Sequence, residues 1–147
     1  MSGDAGSSPA AVGAFPRVER DAAGAGFFDA AARGELLLRR AGDGRLLGPQ
    51  DDAEARTGSA DLAPVVASGR ATLVSWAVVH QAPLPWLAGA VPYVCAVVEL
   101  AEGPWLTVRL VDADPGALAA GQPLRVRFVP SGPPDGPGET LPVFAPA

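Results

Sequence analysis

Residues 71–110 read ATLVSWAVVHQAPLPWLAGAVPYVCAVVELAEGPWLTVRL, three apolar runs rich in Val, Trp, Tyr and Thr divided by Pro/Gly segments. The first run, 71–80, has no internal Gly or Pro and no helix stop. The second, 93–100, and the third, 105–110, are joined only by Ala101-Glu102-Gly103-Pro104. β-Branched and aromatic residues bounded by turn formers predict strands rather than short helices. A short connection containing Gly suits a hairpin. The centre of the chain therefore reads as an antiparallel meander.

Strict alternation puts Thr72, Val74, Trp76, Val78 and His80 on one face of the first run, and Ala71, Leu73, Ser75, Ala77 and Val79 on the other. In the second, Tyr93, Cys95, Val97 and Glu99 oppose Val94, Ala96, Val98 and Leu100. Both faces look apolar, whereas a one-sided antiparallel sheet alternates apolar with polar. Barrel closure would bury one face. The other calls for another segment of the chain or a partner.

The chain has 147 residues, the size of one domain with a small appendage. All 11 of its basic residues are Arg, and 16 acidic residues give a net charge of −5. That balance opposes nucleic-acid binding, where a basic face supplies most of the affinity. The single cysteine excludes an internal disulfide and any Cys-cluster metal site. The start, MSGDAGSSPAAVGAF, has no charged leader and no long apolar core, and no run reaches the length of a membrane span. The expectation is a cytoplasmic protein away from membranes.

Residues 1–25 are Ala/Gly/Ser-rich without a period and are expected to be a disordered arm. Residues 26–63 follow as a short helix plus a hairpin. The helix rests on FFDAAARG at 27–34, with Gly34 as its stop and two phenylalanines that need burial. The hairpin rests on Leu36-Leu37-Leu38-Arg39-Arg40 and Arg45-Leu46-Leu47 around Gly42-Asp43-Gly44. Residues 48–64 are polar and irregular. Residues 64–147 hold the barrel: 65–70 feed its first strand and the meander follows. After the break at Asp112–Gly116, residues 117–120 make a single turn. Then comes 124–129, with Leu124, Val126 and Phe128 inward and Arg125 and Arg127 outward. Residues 130–140 read as mobile, and 141–144 closes the chain. Five strands with a short turn between the third and fourth match an all-β Greek-key barrel of the OB type.

Over residues 27–147 the chain resembles the family catalogued as domain of unknown function thirty-five, a rubredoxin-like zinc ribbon followed by an OB barrel. FFDAAARGELLLRR is similar to its helix and first ribbon strand, and SGRATLVSWAVVH to its first barrel strand. PYVCAVVELAEG is similar to its second, and GQPLRVRF with LPVFAPA to its closing segments. The ribbon departs from the pattern. Its two C-x-x-C knuckles would fall at 40–44 and around 54–58, and neither stretch contains Cys or His. Structural zinc needs about four soft ligands, which Asp43 and Glu54 cannot replace. The ribbon is expected to be degenerate and metal-free, held by Leu36, Leu38, Leu46 and Leu47 or by a partner.

The resemblance implies association with acyl-CoA chemistry. Such chains are similar to accessory subunits beside thiolase-like enzymes (condensing, acyl-transfer or retro-aldol) or hydratases, with a possible acyl-CoA ligand at a shared channel. The expected assembly is a hetero-oligomer in which this chain has no catalytic group, and the sequence carries no G-x-S-x-G, H-E-x-x-H or phosphate loop. The alternative is a stand-alone acyl-CoA-binding protein or thioesterase using the barrel mouth and His80.

Candidate residues each carry a plainer reading. His80 ends the first strand, where a base could reach substrate or a structural hydrogen bond could hold it. Trp76 lines a channel or fills the core. Leu84, Trp86 and Leu87 sit in the charge-free, proline-stiffened QAPLPWLAGAVP, either an apolar knob for a partner or a cover for the barrel mouth. Tyr93 opens the second strand. Arg125 and Arg127 share a strand face that could meet a CoA phosphate or a partner carboxylate, or simply solvent. Cys95, mid-strand, reads as a buried inert thiol.

Overall fold

The computed structural model describes residues 15, 17–22, 24–49, 62–80, 92–133 and 135–147. Helix α1 spans Ala25–Ala32. Strands β1 (Leu37–Arg40), β2 (Leu46–Leu47) and β3 (Ala63–Val66) form a three-stranded sheet in the order β2-β1-β3. Strands β4 (Arg70–Val79), β5 (Tyr93–Leu100), β6 (Trp105–Leu110), β7 (Pro123–Pro130) and β8 (Thr140–Pro146) close a barrel in the order β4-β5-β6-β8-β7. A 3₁₀ turn, Pro115–Ala117, stands between the third and fourth barrel strands, where the sequence places a turn at 117–120. This is the OB topology, and the described residues are all-β apart from one short α-helix and the 3₁₀ turn.

Helix α1 follows the side-chain logic of its sequence. Alanines favour it, and its C-terminal carbonyls are closed by the N–H groups of Gly34 and Glu35, which donate to Ala31 and Ala30. Phe27 packs against the barrel core, so the helix docks as its phenylalanines require. The hairpins match too. Gly44 N–H donates to the Ala41 carbonyl in the β1–β2 turn, and Gly103 N–H to that of Leu100 between β5 and β6.

The alternation in β4 is broken by a bulge. Leu73 pairs with Val98 but Ser75 pairs with Val97, so Val74 is an inserted residue. One extra residue exchanges the faces of everything beyond it. Ala71 and Leu73 point inward before the bulge; Trp76 and Val78 pack on the same core after it. Thr72, Ser75 and Ala77 are outward and exposed. The expected second apolar face of this strand therefore carries Thr72, Ser75 and Ala77, with Val79 half-buried at its end, and Trp76 packs half-buried against the core.

The three-stranded sheet is no separate unit. Leu36, Leu38 and Ala67 lie in one buried cluster with Leu73, Val98, Leu100, Leu110, Leu124 and Phe144 of the barrel. Leu46 and Leu47 contribute only half-buried surface. β3 pairs along its whole length with β1, so the expected division at residue 64 cuts through a strand, and the barrel begins at Arg70.

The arm expected to be disordered up to residue 25 is docked where it is described, at Phe15 and over residues 17–22. Phe15 is buried among Val111, Val129, Val143 and Ala145. Val18 N–H donates to the hydroxyl of Ser131, and Glu139 N–H to the Val18 carbonyl. The Pro/Gly segment read as mobile is the other half of this contact, with Ser131 fully buried. Arg20 fastens the arm by a two-point bond to Glu139, 2.9 Å each, and a third contact to Asp29 of α1.

This clamp gives the arm a pH dependence. The hydrogen bonds from Arg20 hold the Glu139 carboxyl below its ordinary value. A depressed folded-state value stabilises docking above the ordinary carboxylate range and is lost as pH falls through it. Trypsin cleavage after Arg17 and Arg20 is expected to be slow at pH 7. Glu139→Gln should speed cleavage there at neutral pH, while the barrel's melting midpoint stays nearly fixed. In the unsubstituted chain, hydrogen exchange of the Val18 amide should rise, once intrinsic rates are allowed for, as pH drops below about 4. Protection that is flat from pH 7 to 3 would show that the clamp does not hold the arm.

Candidate functional site: a groove along the third barrel strand

β6 pairs fully with β5 on one side, but meets β8 only through Leu110 and Phe144. The gap opens a groove of about 830 Å³ lined by β6, the end of the barrel core, α1 and the docked arm. Along β6 the residues alternate. Leu106, Val108 and Leu110 turn toward the core, while Trp105, Thr107 and Arg109 lie on the outer face. Trp105 stands on the lip, 62 % exposed. Val66 is the other large apolar side chain exposed among the described residues.

Among the described residues lining the groove, Arg109 is the one that carries a charge. Its guanidinium carbon lies 4.5 Å from the centre of the Phe15 ring and 4.0 Å from that of Tyr93, which supplies cation–π attraction. One guanidinium nitrogen, Nη1, is buried without a hydrogen-bond partner. Burial pulls the Arg109 pKa down from its ordinary value, against the attraction of Tyr93 and Cys95. Arginine stays charged even so. The groove thus holds a dehydrated cation whose hydrogen-bonding capacity is partly unused. Cys95 faces Arg109 in register and is half-buried on the outer face rather than sealed in the core.

Of the residues singled out by sequence, Tyr93 and Cys95 are brought to Arg109. His80 is exposed just beyond the end of β4. Leu84, Trp86 and Leu87 lie outside the described residues, so neither reading of that loop is decided. Arg125 and Arg127 are exposed on β7, which pairs with β4 and β8. Arg125 stands opposite Arg70, and Arg127 forms an ion pair with Asp112. Asp112 adopts a φ of 51°, a left-handed conformation that Asp tolerates better than most residues.

Trp105, Arg109 and Phe15 were not singled out. A lone Arg in the apolar run 105–110, in phase with Trp105, is a signal the sequence does carry.

The turn that would hold the first zinc knuckle does not fit a zinc ion. Ala41 N–H donates to the Arg45 carbonyl, and the Asp43 carboxylate accepts from Arg45 N–H at 3.0 Å. The turn presents one carboxylate and no thiolate or imidazole, against the soft tetrahedral set zinc takes. The second knuckle position lies outside the described residues. Among the described residues, no three His, Cys, Asp or Glu side chains gather where a metal could sit. None of the described helices is long and apolar enough to cross a membrane.

Known proteins share this architecture. Residues 64–129 match the family described as the ChsH2 C-terminal OB-fold domain. Among curated proteins, the chain is 37% identical over 103 residues to the 3-oxo-4,17-pregnadiene-20-carboxyl-CoA hydratase alpha subunit of Mycobacterium tuberculosis. It is 34% identical over 140 residues to a probable enoyl-CoA hydratase alpha subunit of Thermomonospora curvata. Those matches cover 70% and 95% of this chain but only 32% and 41% of the two relatives' length. A solved chain of the Ltp2-ChsH2(DUF35) aldolase superposes with a TM-score of 0.72 at 34% identity, covering 88% of this chain and 98% of that one. A DUF35 protein of unknown function from Sulfolobus solfataricus superposes at 0.52 with 15% identity, over 73% of this chain and 77% of that one, a likeness of fold alone. With its barrel matched by the ChsH2 model and its length by a solved DUF35 chain, this protein belongs to the DUF35 family in its ChsH2-type OB-fold form.

Proposed function

We propose that this chain is a non-catalytic accessory subunit that binds and supports an acyl-CoA enzyme of thiolase-like or hydratase type. The reading rests chiefly on the 34% identity to nearly the whole of a DUF35 chain belonging to an aldolase. The two hydratase alpha subunits point to the same chemistry, since in both the matching region is a minor part of a longer enzyme subunit. Exposed Trp105 and Val66 add to it, because a solvent-exposed tryptophan is a common anchor of protein interfaces. Site and partner are expected to meet in the cytoplasm.

Co-expression with candidate thiolase-like and hydratase-like acyl-CoA enzymes from the same genome tests the proposal. One of them is expected to co-elute with this chain on size exclusion and to lose most of its activity or solubility without it. The chain alone should leave a series of acyl-CoA thioesters intact. Separate elution from every such enzyme would refute an accessory role. Thioester turnover by the chain alone, abolished by His80→Ala, would replace it with the hydrolase reading.

A further inference from the structure

We infer that the groove along β6 is a binding site for a small amphiphilic carboxylate, an apolar body carrying one anionic head held by Arg109. This goes beyond the accessory role and does not depend on it. Three observations carry it. The groove's volume of about 830 Å³ lies within the roughly 300–1,000 Å³ typical of small-molecule sites. It far exceeds what one acidic side chain of a docking protein would fill, which favours a free molecule over a peptide knob. Its walls are apolar and aromatic (Phe27, Phe28, Leu36, Val108, Pro142), so they suit a hydrocarbon body. Among the described lining residues the single charge is that of Arg109, which favours a negative head over a neutral or positive one.

The geometry at Arg109 narrows the head further. The centres of the Phe15 and Tyr93 rings lie 4.5 Å and 4.0 Å from the guanidinium carbon, and the rings occupy space around it that an approaching head cannot use. A planar guanidinium met along its edge suits a planar carboxylate, which accepts two parallel N–H bonds. Nη1 is itself buried, so an incoming carboxylate would be met by the other N–H groups of Arg109, a cation that burial has already stripped of part of its water. Trp105 on the lip then covers the distal part of the body and reports its arrival.

Calorimetric titration of the full chain with decanoate, decanol and methyl decanoate at pH 7.5 tests this. Decanoate is expected to bind at one site and to perturb Trp105 fluorescence, a change absent in Trp105→Phe. Decanol and the ester should bind about tenfold or more weaker, the worth of a charge-assisted hydrogen bond. Decanoate binding should also fall as pH drops below the ordinary carboxylic acid range, where the ligand loses its charge. Arg109→Met, whose stem still packs between Phe15 and Tyr93, should lose that selectivity for the acid. Because the ligand series uses the unsubstituted chain, the test stands even if that variant misfolds. Equal affinity for decanoate and decanol would overturn the role of Arg109. So would decanoate binding that survives Arg109→Met, or no decanoate binding up to millimolar concentration. Binding of an acidic, alternating apolar peptide such as acetyl-VEVEV-amide in place of decanoate would instead identify the groove as a peptide-docking edge. Loss of the partner complex would leave these outcomes unchanged, so the two proposals fail separately.

Discussion

Phe144→Ala is expected to cost about 3–5 kcal/mol, the usual range for emptying a buried phenylalanine site. Phe144 has no exposed surface and is the largest fully buried side chain among the described residues. Its position makes the loss worse than volume alone implies. It stands opposite Leu110 at the one register pair joining β6 to β8, and opposite Val126 on β7. Its carbonyl accepts from Val111 N–H at 2.9 Å, which extends the β6–β8 seam by one bond. The side chain thus packs where the barrel closes with least backbone pairing. A domain of this size is stable by about 5–15 kcal/mol, so the variant should be partly unfolded at moderate urea. Urea titration followed by tryptophan fluorescence checks it. Phe144→Leu, which keeps most of the volume, should cost about 1.5 kcal/mol or less. A Phe144→Ala loss below about 1 kcal/mol would mean that the seam does not depend on this ring.

The strands and hairpins were legible because each rests on local chemistry. Residues 71–79, 93–100 and 105–110 are β-branched or aromatic, and their connections hold Gly or Pro where a turn needs them. The OB assignment followed from their order. The Val74 bulge was not legible, because a bulge is a relation between two strands. Nothing in Leu73-Val74-Ser75 marks which residue is extra; only the pairing with Val97 and Val98 does. The docked arm was hidden for a similar reason. Its Ala/Gly/Ser composition is that of a free tail, and Val18 and Arg20 find Ser131 and Glu139 across 113 and 119 residues. The Pro/Gly segment around them read as mobile, although each segment orders the other. Without the arm there is no Phe15 over Arg109, so the site could not be assembled from sequence even though Arg109 was in view. The apolar surplus expected on the barrel's exterior shrank for both causes. The bulge turned Trp76 and Val78 inward, and the arm placed Phe15 outside the β5–β6 face.

Gly69→Ala should be nearly as damaging as the loss of Phe144, by the opposite mechanism. Gly69 links the small sheet to β4 with a φ of +86°, a region that costs a residue with a Cβ about 1–2 kcal/mol. A Cβ there would also lie 2.6 Å from Cγ1 of Val126, well inside van der Waals contact. Val126 cannot swing away cheaply, because a β-branched side chain has few open rotamers. Nor can the strands part freely, since Val126 N–H donates to the Gly69 carbonyl at 2.8 Å, a bond at the start of the β4–β7 seam. Overpacking adds about 1–3 kcal/mol, so the total is expected to be about 2–5 kcal/mol. A double-mutant cycle separates the two parts. Val126→Ala removes Cγ1, so Gly69→Ala should cost about 1–3 kcal/mol less in that background, the remaining ~1–2 kcal/mol being the backbone term. If Gly69→Ala costs under about 0.5 kcal/mol in the unsubstituted chain, neither the backbone conformation nor the closeness to Val126 is real. If the cost is large but unchanged by Val126→Ala, the strain lies in the backbone alone, and the β4–β7 seam has room that these distances deny.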